Sequence, residues 1–218
     1  ILSLAVALTM MPMSAFADNE KSTVENAVAE VTINGSTTQY ATLTEAITAA
    51  NGADIKLLKI FSENVVVNDN NIKAGIILGN GGTIDGISYP SNWLAADLGI
   101  PLTMNAGEIT LKDGALAHFK GNNSTNAAIA LNGGTLTVAG TVTEIIGGTF
   151  NDGVQDDAIG ATGGVLDLQG NTLLDGGLTM TATAQLKNKL KAGRFINAGD
   201  YYRINVDASE HYNTVFDL

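Results

Sequence analysis

Gly107-Glu108-Ile109-Thr110-Leu111 decides the fold, because the chain writes it again as Gly134-Thr135-Leu136-Thr137-Val138 and as Gly164-Val165-Leu166-Asp167-Leu168. Each copy opens on glycine and then places apolar side chains two residues apart. A strand of that kind turns one face inward and the other to water. Gly82-Thr83-Ile84-Asp85-Gly86 reads as an earlier copy, and from Ile84 the steps to Ile109, Leu136 and Leu166 are 25, 27 and 30 residues. A strand-and-turn unit cannot bury its apolar face alone. It must stack on its neighbours, which is how solenoid proteins are built. Leu136 and Val138 are therefore expected to lie on Ile109 and Leu111 of the preceding coil. A β-sandwich is the competing all-β architecture. The regular echo argues against it, as does an aromatic content of 6%, too low for a large aromatic core.

Toward the N-terminus, Val31-Thr32-Ile33 reads as a short strand and Asn34-Gly35 as a turn. Thr42-Leu43-Thr44-Glu45 is a capping box, in which the Thr42 hydroxyl accepts from the Glu45 amide and the Glu45 side chain reaches back. Leu43, Ala46, Ile47 and Ala50 follow on one helical face. Asn51-Gly52 ends the helix by tolerating the left-handed conformation. This short helix is expected to cap the stack against edge pairing. Ile55 to Ile60, Asn64 to Val67 and Ile72 to Leu78 then read as strands.

The 218 residues are 45% hydrophobic, enough for a core. No cysteine is present, which excludes disulfides and cysteine metal sites. A net charge of -11 repels phosphate backbones, so nucleic acid is not an expected partner. The apolar run from Ile1 to Met13, followed by Ala15-Phe16-Ala17, has the pattern of a secretory signal cleaved before Asp18, with its positive n-region missing. Residues 18–30 read as a flexible leader and 31–218 as one domain whose C-terminal coils are expected to continue beyond residue 218. No later segment is apolar for the ~20 residues that a membrane helix requires. The expected location is secreted or cell-surface.

The runs Val31-Thr32-Ile33-Asn34-Gly35, Tyr40-Ala41-Thr42-Leu43-Thr44-Glu45-Ala46-Ile47 and Ile55-Lys56-Leu57-Leu58 resemble the entry segment of bacterial surface proteins of the pectin-lyase-like superfamily. Ile76-Ile77-Leu78-Gly79-Asn80-Gly81-Gly82-Thr83-Ile84-Asp85-Gly86 is similar to their first coils. The resemblance covers about residues 31–180 and rests on glycine, asparagine and aliphatic spacing. It implies an all-β, right-handed parallel β-helix and an extracellular setting, and it transfers no catalytic site.

Gly153-Val154-Gln155-Asp156-Asp157-Ala158-Ile159 resembles the acid-bearing segment of polygalacturonase-type glycoside hydrolases. That likeness implies Asp156 and Asp157 as acid and base. Asn151-Asp152-Gly153 and Arg203-Ile204-Asn205 faintly match other motifs of that family. However, the first lies too close to the aspartate pair, the second lacks its lysine, and no Gly-His-Gly element follows. A solvated turn between coils accounts for the same residues. Asp152, Asp156 and Asp157 also cluster oxygens of the kind calcium takes, although the spacing matches no established calcium loop.

Lys187, Lys189 and Lys191 alternate with other residues ahead of Arg194. On a strand they form either a grip for uronates or sulfate, or a charged guard against edge-to-edge pairing. Ile87 to Pro101 interrupts the repeat and carries Tyr89 and Trp93. These aromatics either stack on a sugar ring or bury an edge of the stack. His118 and His211 are far apart, without partner ligands at metal spacing. The expected function is a non-enzymatic, adhesin-like or stalk module with a polysaccharide, host glycan or host protein as partner. A polysaccharide hydrolase or lyase and a ligand-free spacer are the alternatives.

Overall fold

The computed structural model describes residues 25–79, 99–117, 127–139, 143–147, 157–169, 172–175, 177–181 and 183–187, with short strands at 83–84, 87–88, 93–94, 195–196 and 203–206. It opens on a hairpin, β1 (Ala29–Ile33) and β2 (Ser36–Tyr40), then helix α1 (Leu43–Ala50) and strand β3 (Asp54–Leu57). Next come β4 (Phe61–Ser62), β5 (Val65–Val67), β6 (Lys73–Gly79), β7 (Thr83–Ile84), β8 (Ile87–Ser88) and β9 (Trp93–Leu94). Then follow β10 (Leu102–Met104), β11 (Glu108–Ala117), β12 (Ile129–Leu131), β13 (Thr135–Val138), β14 (Thr143–Ile146) and β15 (Asp157–Ala161). The last are β16 (Val165–Leu168), β17 (Thr172–Asp175), β18 (Gly177–Met180), β19 (Gln185–Lys187), β20 (Phe195–Ile196) and β21 (Arg203–Val206).

The described residues are mostly β-strand, with α1 their one helix, and the large sheets are mostly parallel. One sheet runs β19-β16-β13-β11-β6-β3-β1-β2, with β14, β17 and β20 pairing successively off β11; the other runs β21-β18-β15-β12-β10-β5. From β10 onward the chain passes back and forth between the two large sheets, with β13 and β14, β16 and β17, and β19 and β20 taken in succession from the first. Each of these strands lies parallel to its counterpart one turn of chain earlier. Among the described residues no helix makes these crossovers, unlike the usual parallel sheet.

Register carries like residues onto like. Ile109 faces Leu136 and Leu111 faces Val138, as the alternation predicts, and Leu136 and Val138 face Leu166 and Leu168. In the second sheet Val65, Leu102, Ile129, Ile159 and Leu178 form one column and Val67, Met104, Leu131, Ala161 and Met180 another. These side chains are buried between the sheets. Each large aliphatic contributes about 1.5–3 kcal/mol of transfer free energy, before conformational entropy offsets it.

Three details differ from the sequence reading. Thr83-Ile84 is not the coil before Ile109. That place belongs to β6, where Ala74 faces Ile109 and Ile76 faces Leu111, while β7 pairs antiparallel with β8. Ala29 and Glu30, read from the sequence as the end of a leader, belong to β1: Ala29 is fully buried and Glu30 pairs with both Gln39 and Lys56. Ile60 lies outside β3, which ends at Leu57. Residues 1–24, which hold the segment read as a secretory signal and most of the segment read as a leader, lie outside the described residues.

Helix α1 forms as its caps dictate. Thr42 is extended and its hydroxyl accepts from the Glu45 amide at 3.2 Å, Leu43, Ala46, Ile47 and Ala50 are buried, and Asn51 is left-handed.

Candidate functional site

The turn between the two large sheets is built the same way on successive strands. Asn105, Asn132 and Thr162 each follow a strand of the second sheet, and Gly107, Gly134 and Gly164 each precede a strand of the first. The amide of Asn132 donates to Asn105 Oδ1 at 2.9 Å, and that of Asn105 donates to Asn68 Oδ1 at 2.7 Å. The Thr162 hydroxyl donates to Asn132 Oδ1 at 2.7 Å, and the Thr162 carbonyl accepts from the hydroxyls of Thr181 and Thr183. A hydrogen-bonded ladder thus runs along the exposed turns from β5 to beyond β18. The glycines sit at φ of 76°, 73° and 75°, and a Cβ on Gly164 would lie 2.6 Å from Gly134 O. Only glycine meets both demands, left-handed backbone and close approach.

The outer face of the first sheet carries charges that neutralise one another. Lys73 and Glu108 are direct neighbours and pair at 2.8 Å, and Lys56 meets Glu30 at 3.4 Å. Lys112 bonds both carboxylate oxygens of Asp54, at 2.7 and 2.8 Å. Further along, the row Thr110, Thr137, Asp167 and Lys187 faces outward in register. The outer row of the second sheet is uncharged: Val66, Thr103, Ala130, Gly160 and Thr179. Among the described residues, the outer row of the first sheet is of mixed charge and that of the second is neutral.

Three of the predicted site residues, Trp93, Asp157 and Lys187, have described side chains, each on a different strand. Trp93 is fully buried, its ring stacked on Phe61 at 6.5 Å between centroids and its Nε1 donating to the Glu63 carbonyl at 2.7 Å. It therefore cannot present a face to a sugar, and its place as a ligand-binding residue is corrected to a packing one. Asp157 begins β15 opposite Gly177, half-buried, with an irregularity in register before Ile159. Lys187 is exposed and directly across from Asp167, whose carboxylate also accepts from Gln169. Tyr89, Asp152, Asp156, His118, Lys189, Lys191, Arg194 and His211 lie outside the described residues, as do the side chains of Arg203, Ile204 and Asn205. Among the described residues no three His, Asp or Glu side chains gather to hold a metal ion, and two of the three calcium candidates are not among them. No helix of the described residues is long and apolar enough to cross a membrane.

Glu63 and the ladder asparagines escaped the sequence reading. Glu63 places its carboxylate on the first turn of α1, accepting from Leu43 N at 2.7 Å, Thr44 N at 3.0 Å and the Thr44 hydroxyl. It satisfies amides that the helix start leaves open, where negative charge is favoured. Its own carbonyl holds Trp93, so one residue ties the helix to the aromatic stack. The ladder asparagines were visible as a second motif, apolar-Asn-small-Gly, in Met104-Asn105-Ala106-Gly107 and Leu131-Asn132-Gly133-Gly134. Comparison with family models, with curated proteins and with solved structures finds no match to this chain.

Proposed function

We propose that this chain is an exported module of a bacterial cell surface, folded as a right-handed parallel β-helix. It works as an adhesin-like stalk and not as an enzyme. The observation that carries the reading is the in-register stacking of strands in two sheets, tied along one turn by the Asn68-Asn105-Asn132-Thr162 ladder. A chain that alternates between two parallel sheets coils about a common core. The right hand follows from the general preference of parallel crossovers. Such an array is long and stiff for its mass and contacts partners along its length. The resemblance to pectin-lyase-like surface proteins supports the same fold, and the apolar segment ending in Ala15-Phe16-Ala17 supports export. A polysaccharide, host glycan or host protein is the partner class that this setting supplies.

The test mixes the chain from Asp18, with and without calcium, with pectins, host glycans and wall polysaccharides. Binding and the release of reducing or unsaturated ends are followed together, beside an Asp156→Asn, Asp157→Asn double variant. Binding without cleavage, unchanged in the variant, is the expected result. Cleavage lost in the variant would overturn the reading in favour of a polysaccharide hydrolase or lyase with those aspartates as acid and base. Neither binding nor cleavage would reduce the module to a spacer.

A further inference from the structure

Three Asn-Gly pairs lie on described residues: Asn34-Gly35, Asn51-Gly52 and Asn132-Gly133. A fourth, Asn80-Gly81, begins outside them. In such a pair the glycine nitrogen can attack the side-chain carbonyl carbon of the asparagine before it, since no Cβ stands in the way. The nitrogen must first lose its proton, and an N–H already donated to a carbonyl must first give up that bond. The three pairs differ in how firmly the reacting groups are held.

At Asn132-Gly133 every reacting group is held. Gly133 N donates to Met104 O at 3.1 Å, the Asn132 amide donates to Asn105 Oδ1 at 2.9 Å, and Asn132 Oδ1 accepts from the Thr162 hydroxyl at 2.7 Å. At Asn51-Gly52 the nitrogen is held, because Gly52 N donates to Lys73 O at 2.6 Å. Asn34-Gly35 is the whole loop between β1 and β2. The bonds of a two-residue hairpin loop close between the flanking residues, here Ile33 and Ser36, and leave the Gly35 N–H to water. Both loop residues are exposed, and a Cβ on Gly35 would meet nothing within 4 Å. Among the described residues none hydrogen-bonds the Asn34 side chain. There β2 also pairs with β1 alone, so flexing this loop disturbs no further strand.

We infer that Asn34 is a site of spontaneous modification, converting to aspartate and isoaspartate with water as the co-reactant, while the ladder locks Asn132 against the same chemistry. Gly35 N bonds to Asn34 Cγ, the bond from Cγ to Nδ2 breaks, and the side-chain nitrogen leaves as ammonia carrying the amide proton. Water then opens the cyclic imide at either of its carbonyls. Both products place a new negative charge at the hairpin tip. Isoaspartate also adds a carbon to the backbone of a loop whose length sets the register of Ile33 with Ser36. The inference is independent of what the chain binds.

The experiment ages the full chain at mildly alkaline pH, folded and in urea. Peptide mass mapping and isoaspartyl methyltransferase labelling follow each asparagine. In the folded chain Asn34 is expected to convert first and Asn132 last, about tenfold or more apart for the hydrogen bonds that must open. In urea that gap should close. Thr162→Val, which frees Asn132 Oδ1, should speed conversion at Asn132 and leave Asn34 unchanged. Conversion of Asn34 no faster than that of Asn132 in the folded chain would overturn the inference. A gap that persists in urea would overturn it too, since local sequence and not the fold would then set the order. Indifference of Asn132 to Thr162→Val would remove the ladder's part in the protection.

Discussion

Lys112 reaches back across β6 to grip both carboxylate oxygens of Asp54, passing over Gly75, which has no side chain to block it. The two residues stand on strands that flank β6 on either side, so the ion pair spans three strands. A Cβ on Gly75 would collide with Asp54 Oδ1 and touch Lys112 Cε at 3.5 Å. Both partners are partly exposed, at 33% and 45%. The pair is thus worth only about 0.2–1 kcal/mol, and less in high salt. Asp54→Ala should cost no more than that in urea unfolding, and Gly75→Ala should cost about the same by displacing the carboxylate. A double variant should show no additional loss; additive losses would mean that Gly75 serves something other than this pair.

The amide ladder contributes more, because each member serves two neighbours. Asn132→Ala removes one donor and one acceptor, at about 0.5–1.5 kcal/mol for each hydrogen bond lost. Asn132→Asp should be worse than alanine at neutral pH, since it points a carboxylate at Asn105 Oδ1. Chemical denaturation of the two variants checks the order. Alanine proving the more damaging would show that the ladder's direction, with Asn132 donating to Asn105, is wrong.

Glycines on this fold are not equivalent. Gly164→Ala forces a Cβ against the backbone of the previous coil at a positive φ. About 1–3 kcal/mol is expected from the backbone strain alone. At Gly160, on the outer face of the second sheet, the nearest atom to a new Cβ is the Ala127 Cβ at 3.9 Å. Gly160→Ala should be neutral or stabilise by up to about 1 kcal/mol through the unfolded chain. Matched unfolding curves decide it, and a larger loss at Gly160 than at Gly164 would contradict the register.

Trp93 is the only tryptophan, so its fluorescence reports one place. Emission should be blue-shifted, resistant to acrylamide and unchanged by any glycan that binds. Trp93→Phe removes the bond to the Glu63 carbonyl and should cost about 1 kcal/mol, whereas Trp93→Ala should cost about 3–5 kcal/mol. Water-like emission that shifts on sugar binding would restore Trp93 as a ligand platform.

What the sequence made legible was local. The alternation in Thr135 to Val138 fixed which side chains turn inward, and the Thr42 cap and Asn51-Gly52 stop marked the helix ends, because each signal is complete within a few residues. What it hid depends on partners far along the chain. Gly82-Thr83-Ile84-Asp85-Gly86 satisfies the same local pattern as the true strands, yet Ile84 pairs with Ile87 next door. Glu63 caps a helix that starts twenty residues earlier, with no motif joining them. The tryptophan looked available because it lies in an interruption of the repeat; a single backbone carbonyl that takes its indole proton is what permits its burial. The paired aspartates stay as the sequence left them, since only Asp157 belongs to a described strand.

The stacked coil is tested most directly by cysteine pairs, which the chain's lack of native cysteine makes clean. Neighbouring strands in register lie about 4.8 Å apart, within disulfide reach, and strands two places apart do not. Thr137→Cys with Asp167→Cys should oxidise to a disulfide in the folded monomer, and Thr110→Cys with Asp167→Cys should not. Linking of the second pair, or failure of the first, would contradict the stacking on which the whole account stands.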